Sequence, residues 1–212
     1  MDFIPALPVL AAFSLGAVVL ALTPGPDMAL FLSRTLSGGR RLGFAAMLGA
    51  ATGLLAHALL AGFGLSALLA ASSTAFTALK IVGTAYLLWL AYGALRHGTG
   101  LTVQRDAAPQ GWMATFVTGV GINLTNPKVV LFYLTFLPQF VEAGDPHASG
   151  KLMFLGLYIL VIGMPVCSAL ILLASRFVRA MRASPKAMRL FDYGFAALMG
   201  TFAARLLLAQ GR

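Results

Sequence analysis

The sequence predicts an all-α integral membrane protein: six transmembrane helices arranged as two inverted three-helix repeats, with the first and fourth helices broken. Three observations predict it. The first is composition. Of 212 residues, 59% are hydrophobic and only 10% charged, where a soluble domain carries about 25%. The mean hydropathy is +0.89, so there is too little polar surface to cover a water-facing globule. The second is the spacing of apolar runs, which fall into six stretches long enough for the roughly 20 residues a helix needs to cross a bilayer. The third is proline-rich interruption of the first and fourth of those stretches.

The segments run over Ile4–Leu32, Leu42–Ala70, Phe76–Leu95, Trp112–Phe140, Leu152–Ala174 and Met188–Leu208. The first, second and fourth exceed a straight crossing, which tilt or a break in the helix absorbs. The polar stretch 98–110 is the only linker-like connection. It divides the chain into a first half, 1–97, and a second, 111–212. Met1-Asp2-Phe3 lacks the basic start of a signal peptide, so the first segment is expected to be retained.

The net charge is +9, and its bases sit mostly between apolar segments, which points to topology and not to nucleic acid. Arg34, Arg40 and Arg41 follow the first segment, Arg96 and Arg105 the third, and Arg176, Arg179, Arg182, Lys186 and Arg189 the fifth. The opposite side holds only Lys80, Lys151, Arg205 and Arg212. The positive-inside rule places the richer side in the cytoplasm and both termini outside. Halves of three crossings each, if they share a fold, must be inserted in opposite directions, as in many transporters. Pro26-Asp27-Met28-Ala29-Leu30-Phe31 can be laid over Pro127-Lys128-Val129-Val130-Leu131-Phe132.

The two interruptions carry the chemistry. In Leu22-Thr23-Pro24-Gly25-Pro26-Asp27, two prolines remove two backbone donors and a glycine loosens the chain between them. Asn123-Leu124-Thr125-Asn126-Pro127-Lys128 repeats the device with one proline and more side-chain amide. The freed carbonyls have no partner in lipid and must face protein or a wet cavity. Each proline should restart a half-helix, whose first N–H groups and dipole suit a carboxylate. Asp27 is favourable there; Lys128 is not, and implies a compensating anion, either Asp27 or a bound ligand.

An ionisable residue at mid-membrane costs at least about 2.5–3.5 kcal/mol and usually marks a pathway. Asp27 and Lys128 are therefore the expected substrate-binding pair, against the alternative of a structural ion pair between the halves. Thr23, Pro24, Gly25, Pro26, Asn123, Thr125, Asn126 and Pro127 surround them, the polar ones serving either as ligands or as helix caps. His57, mid-segment in Leu54-Leu55-Ala56-His57-Ala58-Leu59, is a candidate proton relay with Asp27, or a neutral histidine bonded to a neighbouring helix.

Elsewhere the blander readings prevail. Gly49-Ala50-Ala51-Thr52-Gly53 is a G-x-x-x-G motif for close packing, within the chain or in a homodimer. Tyr86, Trp89, Tyr92 and Trp112 suit interfacial anchoring, and Pro165 a kink in the fifth segment. Glu142, Asp145 and His147 are expected to be a solvated loop and not a metal site. Cys167 is the single cysteine, a packing residue that cannot run a thiol relay. There is no phosphate loop, metal-ligand spacing, nucleophile triad or second mid-membrane acid, so neither an enzyme nor a cofactor is expected.

Leu22–Asp27, then Gly39-Arg40-Arg41-Leu42-Gly43-Phe44, resemble the opening of the lysine exporter (LysE/RhtB) family of amino-acid efflux proteins. So do Lys80-Ile81-Val82-Gly83-Thr84-Ala85-Tyr86-Leu87-Leu88-Trp89-Leu90, and Asn126-Pro127-Lys128 with the downstream Phe136-Leu137-Pro138-Gln139-Phe140. The resemblance covers nearly the whole chain and fits loosely at Asp192-Tyr193-Gly194 and Thr201-Phe202-Ala203. It implies a bacterial inner-membrane exporter of amino acids or related metabolites, driven by protons. A zwitterion would lie between the breaks, its ammonium on Asp27 and its carboxylate on Lys128. The rivals are a passive channel or facilitator, an exporter of a non-amino-acid metabolite or ion, and a structural membrane subunit.

Overall fold

A computed structural model of the chain describes residues 4–65, 73–98, 110–141 and 145–208. Most of the linker read at 98–110 lies outside them, as do Arg105, Glu142 and the end of the second segment, 66–70. All regular structure among the described residues is helical.

α1 (Leu7–Leu22) ends because Thr23 precedes Pro24, and α2 (Pro26–Gly38) starts at a proline preceded by Gly25. A residue before proline is pushed out of the helical region by the proline Cδ, and both Thr23 (φ −66°, ψ 125°) and Gly25 are extended. The axes of α1 and α2 meet at 53°. Gly39, at φ 82°, makes the sharp turn into α3 (Arg40–Leu60), a backbone conformation that side-chain-bearing residues rarely adopt. α3 continues as one wide turn over Ala61–Leu65. α4 (Ser73–His97) follows.

The second break has the same logic. α5 (Trp112–Thr125) stops at Asn126, extended before Pro127, and α6 (Pro127–Leu131) departs at 48°. The chain then runs through a wide turn, Phe132–Phe136, and a tight one, Leu137–Phe140. Pro138, which lacks the N–H that would reach the Leu134 carbonyl, sits in the first turn of the tight stretch. α7 (Ala148–Leu172) continues through Pro165 unbroken. α8 (Ala174–Ala183) buries Ala174 and Val178 and exposes Arg176 and Arg179, so part of the basic run after the fifth segment is a short amphipathic helix. α9 (Pro185–Leu208) ends the described chain.

Among the described residues, two continuous stretches of 25 residues, Arg40–Gly64 and Ala148–Leu172, are long and apolar enough to cross a membrane. At 1.5 Å per residue each reaches about 37 Å, beyond a hydrocarbon core of about 30 Å. Counting each bent pair as one span raises the number to four. α4 and α9 are long helices packed on each other, with their apolar character diluted by polar and basic residues near their ends. In α4 the apolar part shortens to Ile81–Arg96.

α3 is the hub, packed on α2, α5 and α7. Its crossing with α5 is so close that a Cβ on Gly49 would strike the Phe116 carbonyl oxygen, and one on Gly119 the Ala46 carbonyl oxygen. Gly53 faces the Asn123 side chain. The G-x-x-x-G motif is thus used inside the chain, against α5. Gly119→Ala should destabilise the protein by about 1–3 kcal/mol, the usual cost of overpacking. Gly121→Ala, on the same helix but with open space around it, should be neutral within about 0.5 kcal/mol. Unfolding of the purified variants in a denaturing detergent checks the pair.

The largest core cluster is aromatic. Phe13 of α1, fully buried, touches the rings of Phe132, Phe136, Phe140 and Tyr158, and Phe136 meets Phe202 of α9. It anchors the stretch after the second break against helices of both halves. Arg40 donates to the Leu172 carbonyl at 3.2 Å, bringing the start of α3 and the end of α7 to one face. On the loop before α7, Asp145 pairs with Lys151 and accepts from the His147 backbone N–H. The Lys151 hydrogen bond, then that of His147, holds its carboxyl below the usual carboxylate range. Among the described residues no cluster of three or more potential metal ligands gathers.

Candidate functional site

Each proline break frees the carbonyl four residues before it, because proline has no N–H to return. Pro24 removes the N–H that would reach the Leu20 carbonyl, and Pro127 the one for Asn123. Each carbonyl accepts from a side chain of another element, Leu20 O also from the Thr23 N–H at 3.3 Å. Lys128 Nζ donates to the Leu20 carbonyl at 3.2 Å and to the Thr23 carbonyl at 2.9 Å. His57 Nε2 lies 3.4 Å from the Asn123 carbonyl, the Nε2–H tautomer being the one that can donate to it. The Asn126 N–H also reaches Asn123 O, at 3.1 Å.

The first break receives Lys128 and returns Asp27. Asp27, in the first turn of α2, accepts at Oδ2 from Asn126 Nδ2 at 2.7 Å and from Asn123 Nδ2 at 3.2 Å. Asn126 also caps α6, its Oδ1 accepting from the Lys128 backbone N–H at 3.1 Å. The breaks therefore clasp each other: the carboxylate of one is held by amides of the other, and the ammonium of the second by carbonyls of the first. Gly25 has no side chain where one would meet Lys128 Nζ at 3.2 Å.

Lys128 hydrogen-bonds to backbone carbonyls and is attracted by Asp27 through space. Its ammonium lies at the C-terminal end of α1, where the helix dipole is negative, and the amides, not the ammonium, take the Asp27 carboxylate.

Asp27, Asn123 and Lys128 border a cavity between α1, α2, α3, α5 and α7. Asp27 Oδ1 and Asn123 Oδ1 are buried acceptors with no donor, an arrangement native structures rarely leave unexplained. A second cavity lies against Pro24, Gly25, Pro26, Asn126 and Pro127, with Tyr86 and Trp89 of α4 and Phe195 of α9. Lys128 borders both.

Of the other residues singled out from sequence, Thr23 is buried and spends its hydroxyl on the Val19 carbonyl at 2.6 Å. Thr125 stands apart: it is exposed, and its hydroxyl donates to the Gly121 carbonyl at 2.8 Å. Pro26 and Pro127 are exposed where Pro24 is buried. His57 is buried beside the cavity and leans on Tyr133, ring centroids 5.4 Å apart. Tyr133 donates to the Gly156 carbonyl at 2.8 Å and the Leu54 carbonyl at 3.3 Å. Sequence reasoning did not single it out, and nothing in its apolar surroundings distinguishes it from packing. Met47 and Met164 were missed for the same reason; Cys167, read as packing, also faces the cavity.

A family model described as LysE type translocator matches residues 18–210. The homoserine/homoserine lactone efflux protein of Salmonella typhimurium is 32% identical over 201 residues, covering 95% of this chain and 96% of its own length. The leucine efflux protein of Klebsiella pneumoniae subsp. pneumoniae is 30% identical over 202 residues, 93% of this chain and 94% of its own. An uncharacterized membrane protein of Vibrio cholerae serotype O1 is 36% identical over 177 residues, 84% and 85% of the two chains. No solved structure matches.

Proposed function

This chain belongs to the LysE type translocator family, and on that premise we propose that it is a multi-pass membrane transporter that exports amino acids or related small metabolites from the cytoplasm, coupled to the proton gradient. The observation that carries the substrate reading is the pair of opposite charges at the two breaks, on one cavity. A zwitterion placed there offers its ammonium to Asp27 Oδ1 and Asn123 Oδ1, both buried without a donor. Its carboxylate competes with the Leu20 and Thr23 carbonyls for Lys128.

That competition suggests a cycle. A substrate carboxylate that draws Lys128 off α1 opens one side of the clasp between the breaks. A proton on Asp27 in place of the substrate ammonium weakens the other. Proton and substrate then alternate on one carboxylate, as exchange requires, and the Asn123–His57 contact gives the proton a candidate route. The halves 1–97 and 111–212, joined by 98–110, would be the inverted units that rock about the site. The matched half-helix starts at Pro26 and Pro127 support this, as do the near-equal bends. Six crossings then include α4 and α9, and the basic ends of the helices face the cytoplasm, with both termini outside the bacterial inner membrane.

Purified protein in proteoliposomes, given labelled amino acids with and without an imposed proton gradient, tests the reading. The expected result is accumulation above the equilibrium level only with the gradient. Equilibration without accumulation would make the protein a passive facilitator. No movement of any amino acid by folded protein would overturn the amino-acid assignment.

A further inference from the structure

Away from the two breaks, the wall of the first cavity carries no charge. Its polar or ionisable groups are Asp27, Asn123, Lys128 and the Cys167 thiol, and everything else facing it is apolar. α2, α3 and α7 each contribute a methionine, Met28, Met47 and Met164, with Ala51, Leu54 and Ile159 beside them. His57, outside the lining, has its Nε2 3.4 Å from the Asn123 carbonyl. The Tyr133 hydroxyl is directed to the carbonyls of Leu54 and Gly156.

From this lining we infer that the substrates are amino acids with uncharged aliphatic or thioether side chains, and that amino acids with charged side chains are rejected. This rests on the exporter reading above. The α-ammonium and α-carboxylate of the substrate use both charges of the site. A third charge, on lysine, arginine or glutamate, would lie against methionine and leucine with no ion-pair partner among the described residues of the wall. An aliphatic side chain instead gains from leaving water. A hydroxyl is a smaller penalty, because an apolar wall discriminates only weakly against an added OH. The methionines add tolerance: unbranched, with three rotatable bonds, they repack around branched and linear guests alike. Leucine, methionine and norleucine should therefore bind within about 10-fold of one another, homoserine more weakly, and lysine and glutamate at least about 100-fold more weakly than leucine.

Binding of these six to the purified protein in nanodiscs, by calorimetry, tests the order. Ala51→Asp sets a carboxylate into the apolar wall and should raise lysine relative to leucine by at least about 10-fold. Ala51→Leu, the safer variant for folding, fills the same space and should weaken leucine while sparing alanine. Lysine or glutamate binding as tightly as leucine would overturn the inference and leave the exporter reading standing. So would unchanged leucine binding in both variants. Failure of every amino acid to bind would overturn the exporter reading, and this inference with it.

Discussion

Asp27→Asn should abolish uphill export without lowering the amount of inserted protein. Asparagine has the same shape, and its single carbonyl oxygen can still accept from Asn126 and Asn123, as Oδ2 does now. What changes is the other atom. Oδ1, the acceptor without a donor, becomes an NH₂ group facing the substrate ammonium. A charge-assisted hydrogen bond is lost, worth about 1.5–3 kcal/mol, or roughly 10- to 150-fold in substrate affinity. The titratable group is lost with it, so the protein can no longer link a proton to the substrate, and accumulation should fall to the equilibrium level with or without a gradient. Vesicle transport, normalised to inserted protein, reads this directly. An Asp27→Asn protein that accumulated substrate like the parent would remove Asp27 from the pathway.

The second large effect is expected at Lys128. Lys128→Met removes the partner proposed for the substrate carboxylate, takes the ammonium donor from the Thr23 carbonyl and leaves the Leu20 carbonyl with the Thr23 N–H at 3.3 Å. These two losses can be separated with a substrate that lacks the carboxylate. If Lys128 binds it, the parent should prefer leucine over leucinamide by about 10- to 150-fold, the worth of a charged hydrogen bond. Lys128→Met should erase that preference. If Lys128 only clamps α1, both ligands should weaken together in the variant and the parent should show no preference. Lys128→Arg retains the charge and should keep part of the discrimination. Its bulk, however, meets Gly25 closely, where even a Cβ would lie 3.2 Å from Nζ.

Much of this site was legible before any coordinates. Thr23, Gly25 and Asn126 each precede a proline, and each is extended. Asp27 and Lys128 stand out in the sequence because charge is expensive in an apolar segment. Their partners were not legible. Lys128 was expected to be compensated by Asp27 or a ligand; Asp27 attracts it through space, while its hydrogen bonds go to two backbone carbonyls, a group every residue carries and no sequence pattern marks. The same holds for the G-x-x-x-G motif. Gly49 and Gly53 announce a close approach, but only the docked helices show that Gly119 and Asn123 receive them. α8 was read as a cluster of bases, because ten residues give periodicity little length in which to declare itself.

The sequence by itself determined the solvent and the punctuation of this chain. Its scarcity of charge demands a membrane, and its prolines set where helices must stop and restart, because proline's missing donor and crowded ring act within one turn of the backbone. Only the tertiary structure decided what the breaks do to each other. The clasp joins Asp27 to Asn123 and Asn126, and Lys128 to Leu20 and Thr23, and the cavity wall gathers Met28, Met47 and Met164 from three helices. Such pairings span about a hundred residues of chain. They follow from how whole helices pack, since local backbone sterics fix where a helix ends but carry no information about which distant side chain will satisfy it.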